Sequence, residues 1–217
     1  MPTVNLEDGQ LLSRYDVVGE HTDRESRFVT HVGLHDADNR PVDVDDEVSV
    51  IHMKPPLEHA NDMRVHVAGN VPLEPDEIKQ VQAWFEENKD EYVRRGVAPR
   101  QQYIIDPPWR DEVNPNTGVR RYRRYSCAGF VLYGHREVGI ELLEIDANTL
   151  PEVNWATVRS TYHVADRHRA GLTRFGLDGE GPWPIVLPGY ILHSLRRTTE
   201  QIRNGEPYEA QPGDELS

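Results

Sequence analysis

The chain contains one cysteine, Cys127, in the stretch "SCAGFVLYGHREVGI". A thiol attacks a carbonyl only as its thiolate, and a free cysteine with a pKa of about 8.5 is mostly protonated at neutral pH. A helix N-terminus and a nearby imidazolium both lower that value. Spacing offers the first. Phe130, Val131, Gly134 and Val138 recur at helical intervals, Ser126 stands where an N-cap belongs, and Gly139 where a C′ glycine belongs. Cys127 thus falls in a first helical turn, whose unpaired amides make an oxyanion hole available. Free cysteines are usually inert buried hydrophobes, so the case for chemistry depends on a base. Of the ten histidines, His31 lies within a β-rich stretch with Asp43 twelve positions on, across the turn formers "DADN". A returning strand would bring that carboxylate beside the imidazole, where it would fix the tautomer and stabilise the imidazolium. Asp45 or Asp46 could take the same role.

The elements that must position these groups follow from local patterns. "RFVTHVGL" (27–34) reads as a strand, "VDVDDEVSVIHM" (42–53) as its hairpin partner and "MRVHVAG" (63–69) as a third strand. "EPDEIKQVQAWFEENKDEYV" places Ile78, Val81, Trp84 and Phe85 on one stripe, with Pro75 and three acids at its start, which predicts an amphipathic helix. From Arg94 to Tyr125 the chain is proline-rich and irregular, and a connection of that length is usually functional or disordered. The polar stretch 204–217 reads as a disordered tail after a single domain spanning 1–203. Together these predict an α+β fold, an antiparallel sheet with the cysteine-bearing helix packed on it.

Composition narrows the function. At 37% hydrophobic and 28% charged residues the chain is of globular type, and no apolar run approaches the roughly 18 residues of a membrane span. A net charge of −13 argues against nucleic-acid binding, although arginines cluster in "RRYRRYSC". The lone cysteine and the absence of a basic-then-apolar start point to a cytoplasmic protein. His163, Asp166 and His168 match no zinc spacing, and His31 with His35 lacks a third ligand, so neither a metal nor another cofactor is expected. His193 fits a local hydrogen bond.

"SCAGFVLYGHREVGI" resembles the nucleophile helix of NlpC-type cysteine peptidases, in which the cysteine precedes small residues and the helix ends in glycine and an apolar residue. "THVGLHDADNRPVDV" is similar to the His-Val-Gly strand of the same superfamily and its returning strand. Here histidine precedes cysteine, the order of the circularly permuted papain-like group that includes YiiX-type and lecithin–retinol-acyltransferase-like families. "IVLPGYILHSL" also looks like a segment near the end of YiiX-type sequences. The resemblance covers roughly residues 25–50, 75–90, 120–145 and 184–196. It departs at Ala128, where serine is usual, and at the 94–125 segment, which has no counterpart. The resemblance implies a thiol hydrolase or acyltransferase acting at an amide or ester with the triad Cys127, His31 and Asp43. Of the superfamily's substrates, the missing secretory signal and apolar anchor leave a peptide or isopeptide as the one expected. Its alternatives are a lipid acyltransferase or esterase of the same fold, or a non-catalytic binding protein that keeps the fold. Oligomeric state is left open.

Overall fold

The computed structural model describes residues 9–21, 28–54, 57–162 and 166–216, and the two longest α-helices start and stop where their sequence supplies the partners. The helices are α1 (Pro75–Arg95), α2 (Pro99–Gln102), α3 (Cys127–Arg136), α4 (Trp155–Tyr162), α5 (Pro188–Ser194) and α6 (Thr199–Asn204), with a 3₁₀ segment over Asp166–Phe175. The expected signals are borne out at α3. The Ser126 hydroxyl accepts the Gly129 amide at 2.8 Å. At the other end Gly139 is left-handed (φ 80°), and the Ile140 amide reaches back to the His135 carbonyl at 3.1 Å. That six-to-one bond satisfies a carbonyl the helix leaves open. On α1 the amide of Glu74 donates to the Glu77 carboxylate at 2.7 Å, and the chain leaves through a left-handed Gly96. The apolar stripes of the two helices meet at Trp84 and Phe130, whose rings lie 4.9 Å apart. Gly134 allows this approach, since a Cβ there would stand 3.0 Å from the Trp84 ring.

The strands are β1 (Gln10–Leu12), β2 (Val17–His21), β3 (Val29–His35), β4 (Arg40–Val42), β5 (Glu47–Met53), β6 (Leu57–Arg64), β7 (Val67–Gly69), β8 (Trp109–Val113), β9 (Arg120–Tyr125), β10 (Glu152–Val153) and β11 (Trp183–Pro184). Five form one antiparallel sheet in the order β6-β5-β3-β2-β7. Neighbouring residues feed different cores: Val17 and Ile51 join the large core with the helices, Val18 and Val50 a smaller one with Leu12 and Val42. This is the alternation a strand buried on both faces requires. Helices α3 and α5 pack on β3, the central strand.

Four sequence expectations are corrected. The 63–69 stretch is no single third strand: it is divided between the end of β6 and β7, at opposite edges of the sheet. The 42–53 stretch is not one strand. Asp45 is left-handed (φ 72°) and the Asp46 amide bonds to the Asp43 carbonyl at 3.1 Å, so a tight turn divides it. Only its first residue, Val42, belongs to β4, which pairs with β1, and β5 alone pairs with β3. Within 94–125 the chain is ordered: α2 leads into the antiparallel hairpin β8–β9. The 204–216 segment, read as disordered from composition, is pinned by contacts. Ala210 is buried, the Tyr208 hydroxyl donates to Asp214 at 2.7 Å, and Leu216 bridges to Phe28. Gly189 on α5 is what lets it dock, because a Cβ there would meet the Glu215 carbonyl oxygen at 2.6 Å. Composition undercounted it because a few anchoring contacts suffice to order a polar segment.

Candidate active site

Cys127 and His31 line one cavity of about 340 Å³ together with Glu20, Lys54, Tyr103 and Tyr162. The first turn of α3 holds the cysteine there because the chain just upstream is clamped to it. The Ser126 amide donates to the Pro108 carbonyl at 2.9 Å. Gly129 faces that same carbonyl so closely that a Cβ would lie 1.8 Å from its oxygen. On the sheet side, the β3–β5 ladder stops at Leu34–Ile51. Beyond that point the Val32 amide is directed at the Cys127 sulfur.

His31 is oriented by a residue that sequence reasoning missed. Its Nε2 lies 2.9 Å from Nδ1 of His52, the two rings meeting edge to face at 71°. His31 and Gly33 are two apart on β3 and share a face. His52, on β5, lies across Gly33, where a Cβ would come within 3.1 Å of the His52 Cβ. The glycine of "HVG" therefore has a task, because it lets the second imidazole pack onto the strand beside the first. With Nε2 engaged, Nδ1 is the nitrogen through which His31 can serve as a base.

Asp43 does not orient His31. Its carboxylate accepts the Gly9 amide at 2.6 Å, at the end of β4 in a different sheet. Nor do the alternatives: Asp45 lies 3.4 Å from Nε2 of His66, and the Asp46 carboxylate accepts the Asp43 amide at 3.1 Å. Two other histidines, His35 and His193, make contacts that hold the fold. His35 bonds the Ser13 carbonyl at 3.0 Å, and His193 sits 3.3 Å from Asp214. His163 falls outside the described residues. Among the described residues no group of three His, Cys, Asp or Glu side chains is placed to hold a metal.

Comparison with known protein families, curated proteins and solved structures gives no match. The chemistry of the site is therefore read from its own geometry.

Electrostatics at the site differ from the expected thiolate–imidazolium pair. Cys127 is 1% exposed, and burial pushes its thiol up to about 11. The amides of Val32 and Ala128 and the Tyr103 hydroxyl offset this only in part. Burial likewise lowers His31 to about 3, reinforced by His52 and Lys54. Desolvation outweighs the helix N-terminus because that effect is worth at most ~2 kcal/mol, or 1.5 pKa units. Both groups are thus neutral at rest. A second overlooked group is Tyr103, whose hydroxyl faces both the sulfur and the amide of Cys127. Tyr103 sits in the proline-rich stretch that offers no periodicity to read. Tyr162 closes the far wall, its hydroxyl held by the Val186 carbonyl at 3.0 Å.

Proposed function

We propose that the protein is a thiol hydrolase or acyltransferase acting at an amide or ester, with a permuted papain-like arrangement. The observation that carries this reading is the shared cavity of Cys127 and His31, with His31 tied through Nε2 to His52. Attack proceeds from the neutral pair. His31 Nδ1 takes the thiol proton as sulfur adds to the carbonyl, and later returns it to the leaving group. For this, His31 carries its resting proton on Nε2 and donates it to His52 Nδ1. As His31 becomes an imidazolium, that bond becomes charge-assisted and strengthens. The Tyr103 hydroxyl, which meets the Cys127 amide and sulfur at rest, and that amide are the donors nearest the thiol, and they are available to the carbonyl oxygen once substrate parts them. His52 thereby takes the orienting role that sequence reasoning gave to Asp43.

A peptide or isopeptide bond is the substrate class this reading favours. The buried, neutral thiol favours a second reading, a binding protein that keeps the fold without the reaction. One experiment separates them. With 4-nitrophenyl acetate, the hydrolase releases a burst of nitrophenolate and gains one acetyl group by mass, both lost in Cys127→Ala and His31→Ala. Equal rates in wild type and Cys127→Ala would reject the hydrolase.

A further inference from the structure

Next to the nucleophile cavity, and sharing Tyr103 and Phe175 with it, lies a second cleft of about 430 Å³ lined by Arg100, Arg124, Arg174 and Glu112. We infer that this cleft is an anion subsite that binds a carboxylate on the substrate beside the scissile bond. This inference rests on the hydrolase reading for the word substrate, but its binding chemistry stands on the cleft alone.

The lining is three guanidiniums against one carboxylate, in a chain whose acids outnumber its basic residues by 37 to 24. Some arginines elsewhere are paired, Arg203 with Glu77 at 2.8 Å, Arg123 with Asp111 at 2.6 Å and Arg120 with Glu91 at 3.3 Å, whereas others such as Arg94 and Arg121 are not, among the described residues. What distinguishes the cleft is that its guanidiniums line one concavity. Glu112 is claimed chiefly by Arg110, outside the cleft, at 2.9 Å, and reaches Arg124 only at 3.4 Å. Arg100 and Arg174 have no carboxylate partner among the described residues. The walls are fixed. The Arg124 guanidinium donates to the carbonyls of Tyr103 (Nε, 3.2 Å) and Arg174 (2.8 Å), tying the two sides together. The amides of Ile105 and Asp106 both donate to the Phe175 carbonyl, at 2.9 and 3.0 Å. Gly176 permits this closeness, since a Cβ there would lie 1.5 Å from the Asp106 carbonyl oxygen. Two guanidiniums without a carboxylate partner, that of Arg174 stacked 4.6 Å from the Phe175 ring centre, on a braced frame match a planar carboxylate. Because Tyr103 separates this cleft from Cys127, its occupant is a group flanking the bond under attack, such as an acidic side chain or a terminal carboxylate of a peptide.

The test has two arms. In the binding arm, N-acetylglutamate is titrated into Cys127→Ala protein by calorimetry, with N-acetylglutamine and inorganic phosphate as comparators. The expected result is binding of N-acetylglutamate that weakens as salt is raised and falls at least about 10-fold when Arg100→Gln and Arg174→Gln are combined. No binding, equal binding of the amide, or binding unchanged in the double variant overturns the subsite. Tighter binding of phosphate overturns the carboxylate assignment. In the kinetic arm, wild type is compared on 4-nitrophenyl acetate and the mono-4-nitrophenyl ester of glutaric acid. A glutarate preference of at least about 10-fold in kcat/KM that collapses in the double variant supports the subsite, and its absence overturns it. Failure of both esters to acylate Cys127 would reject the hydrolase reading, while the binding arm still decides the anion site.

Discussion

The thiol's reactivity gives the sharpest test of the site. With a pKa of about 11, Cys127 would be roughly 0.1% thiolate at pH 8, against roughly 25% for an unperturbed cysteine near 8.5. That is a deficit of roughly 250-fold. A more basic thiolate is also a better nucleophile. A Brønsted slope of ~0.4–0.5 over 2.5 units returns roughly 10-fold, leaving attack on a disulfide roughly 20-fold slower than for a free thiol. Occlusion of a group only 1% exposed adds a further slowing, independent of pH. The assay is the rate of mixed-disulfide formation with 2-hydroxyethyl disulfide from pH 5 to 10, read by intact mass, with circular dichroism confirming the fold at each point. One cysteine makes the mass unambiguous. The expected rate climbs tenfold per pH unit without levelling, and His31→Ala leaves that profile in place because neutral His31 does not stabilise the thiolate. A plateau below about pH 8.5 in wild type, abolished by His31→Ala, would refute the neutral-pair description and restore the ion pair.

Three further outcomes follow from the same geometry. His52→Ala should cut the acylation rate by at least about 10²-fold, while His52→Asn, which keeps an acceptor, recovers part of it, and Asp43→Asn stays within about twofold of wild type; a dead Asp43→Asn enzyme would contradict the placement of that residue. Gly129→Ala should cost several kcal/mol in urea denaturation, because its Cβ would stand 1.8 Å from a carbonyl oxygen and the backbone itself must shift; a loss under about 1 kcal/mol would contradict it. His135 is fully buried and lowered to about 4 by that burial, even though its ring nitrogens face the carbonyls of Val131 and Tyr15 at 2.9 and 3.2 Å. The unfolded chain then binds a proton between about pH 6.5 and 4 that the native state refuses, so its contribution to stability is intact above about 6.5 and is lost on acidification, about 3 kcal/mol in all. Urea denaturation at pH 7 and 4.5 should show a smaller drop for His135→Gln than for wild type, and equal drops would remove His135 as a cause.

The elements legible in the sequence were those with their own local signals. Ser126, Gly139 and the stripe through Phe130 defined α3, and the Ile78–Phe85 stripe with Pro75 defined α1, because caps and periodicity act within one element. Pairing between elements was not legible. The turn formers at 36–39 suggested that the next strand returned along β3, yet β4 left to pair with β1 and the turn at Asp43–Asp46 delivered β5 instead. A carboxylate beside His31 was thus a reasonable inference from adjacency, and the imidazole of His52 was visible only once the register was known. One sequence signal did point to it. A glycine two residues after His31 marks a place where something from the neighbouring strand lies flat against the backbone. Tyr103 had no such marker, because residues 94–125 are organised by contacts to α3 and the 3₁₀ segment rather than by a repeating pattern.

The clamp between the Pro108 carbonyl and the first turn of α3 has a consequence for how this protein can be changed. Residues 103–108 touch the sulfur through Tyr103, fix the nucleophile's helix through Pro108, and form a wall of the arginine cleft. The surroundings of the thiol and the shape of the cleft are therefore set by the same half-dozen residues. Replacing this segment would alter the surroundings of the sulfur and the cleft at once, whereas changing Arg100 and Arg174, which line the cleft but not the cavity of Cys127, alters the cleft alone.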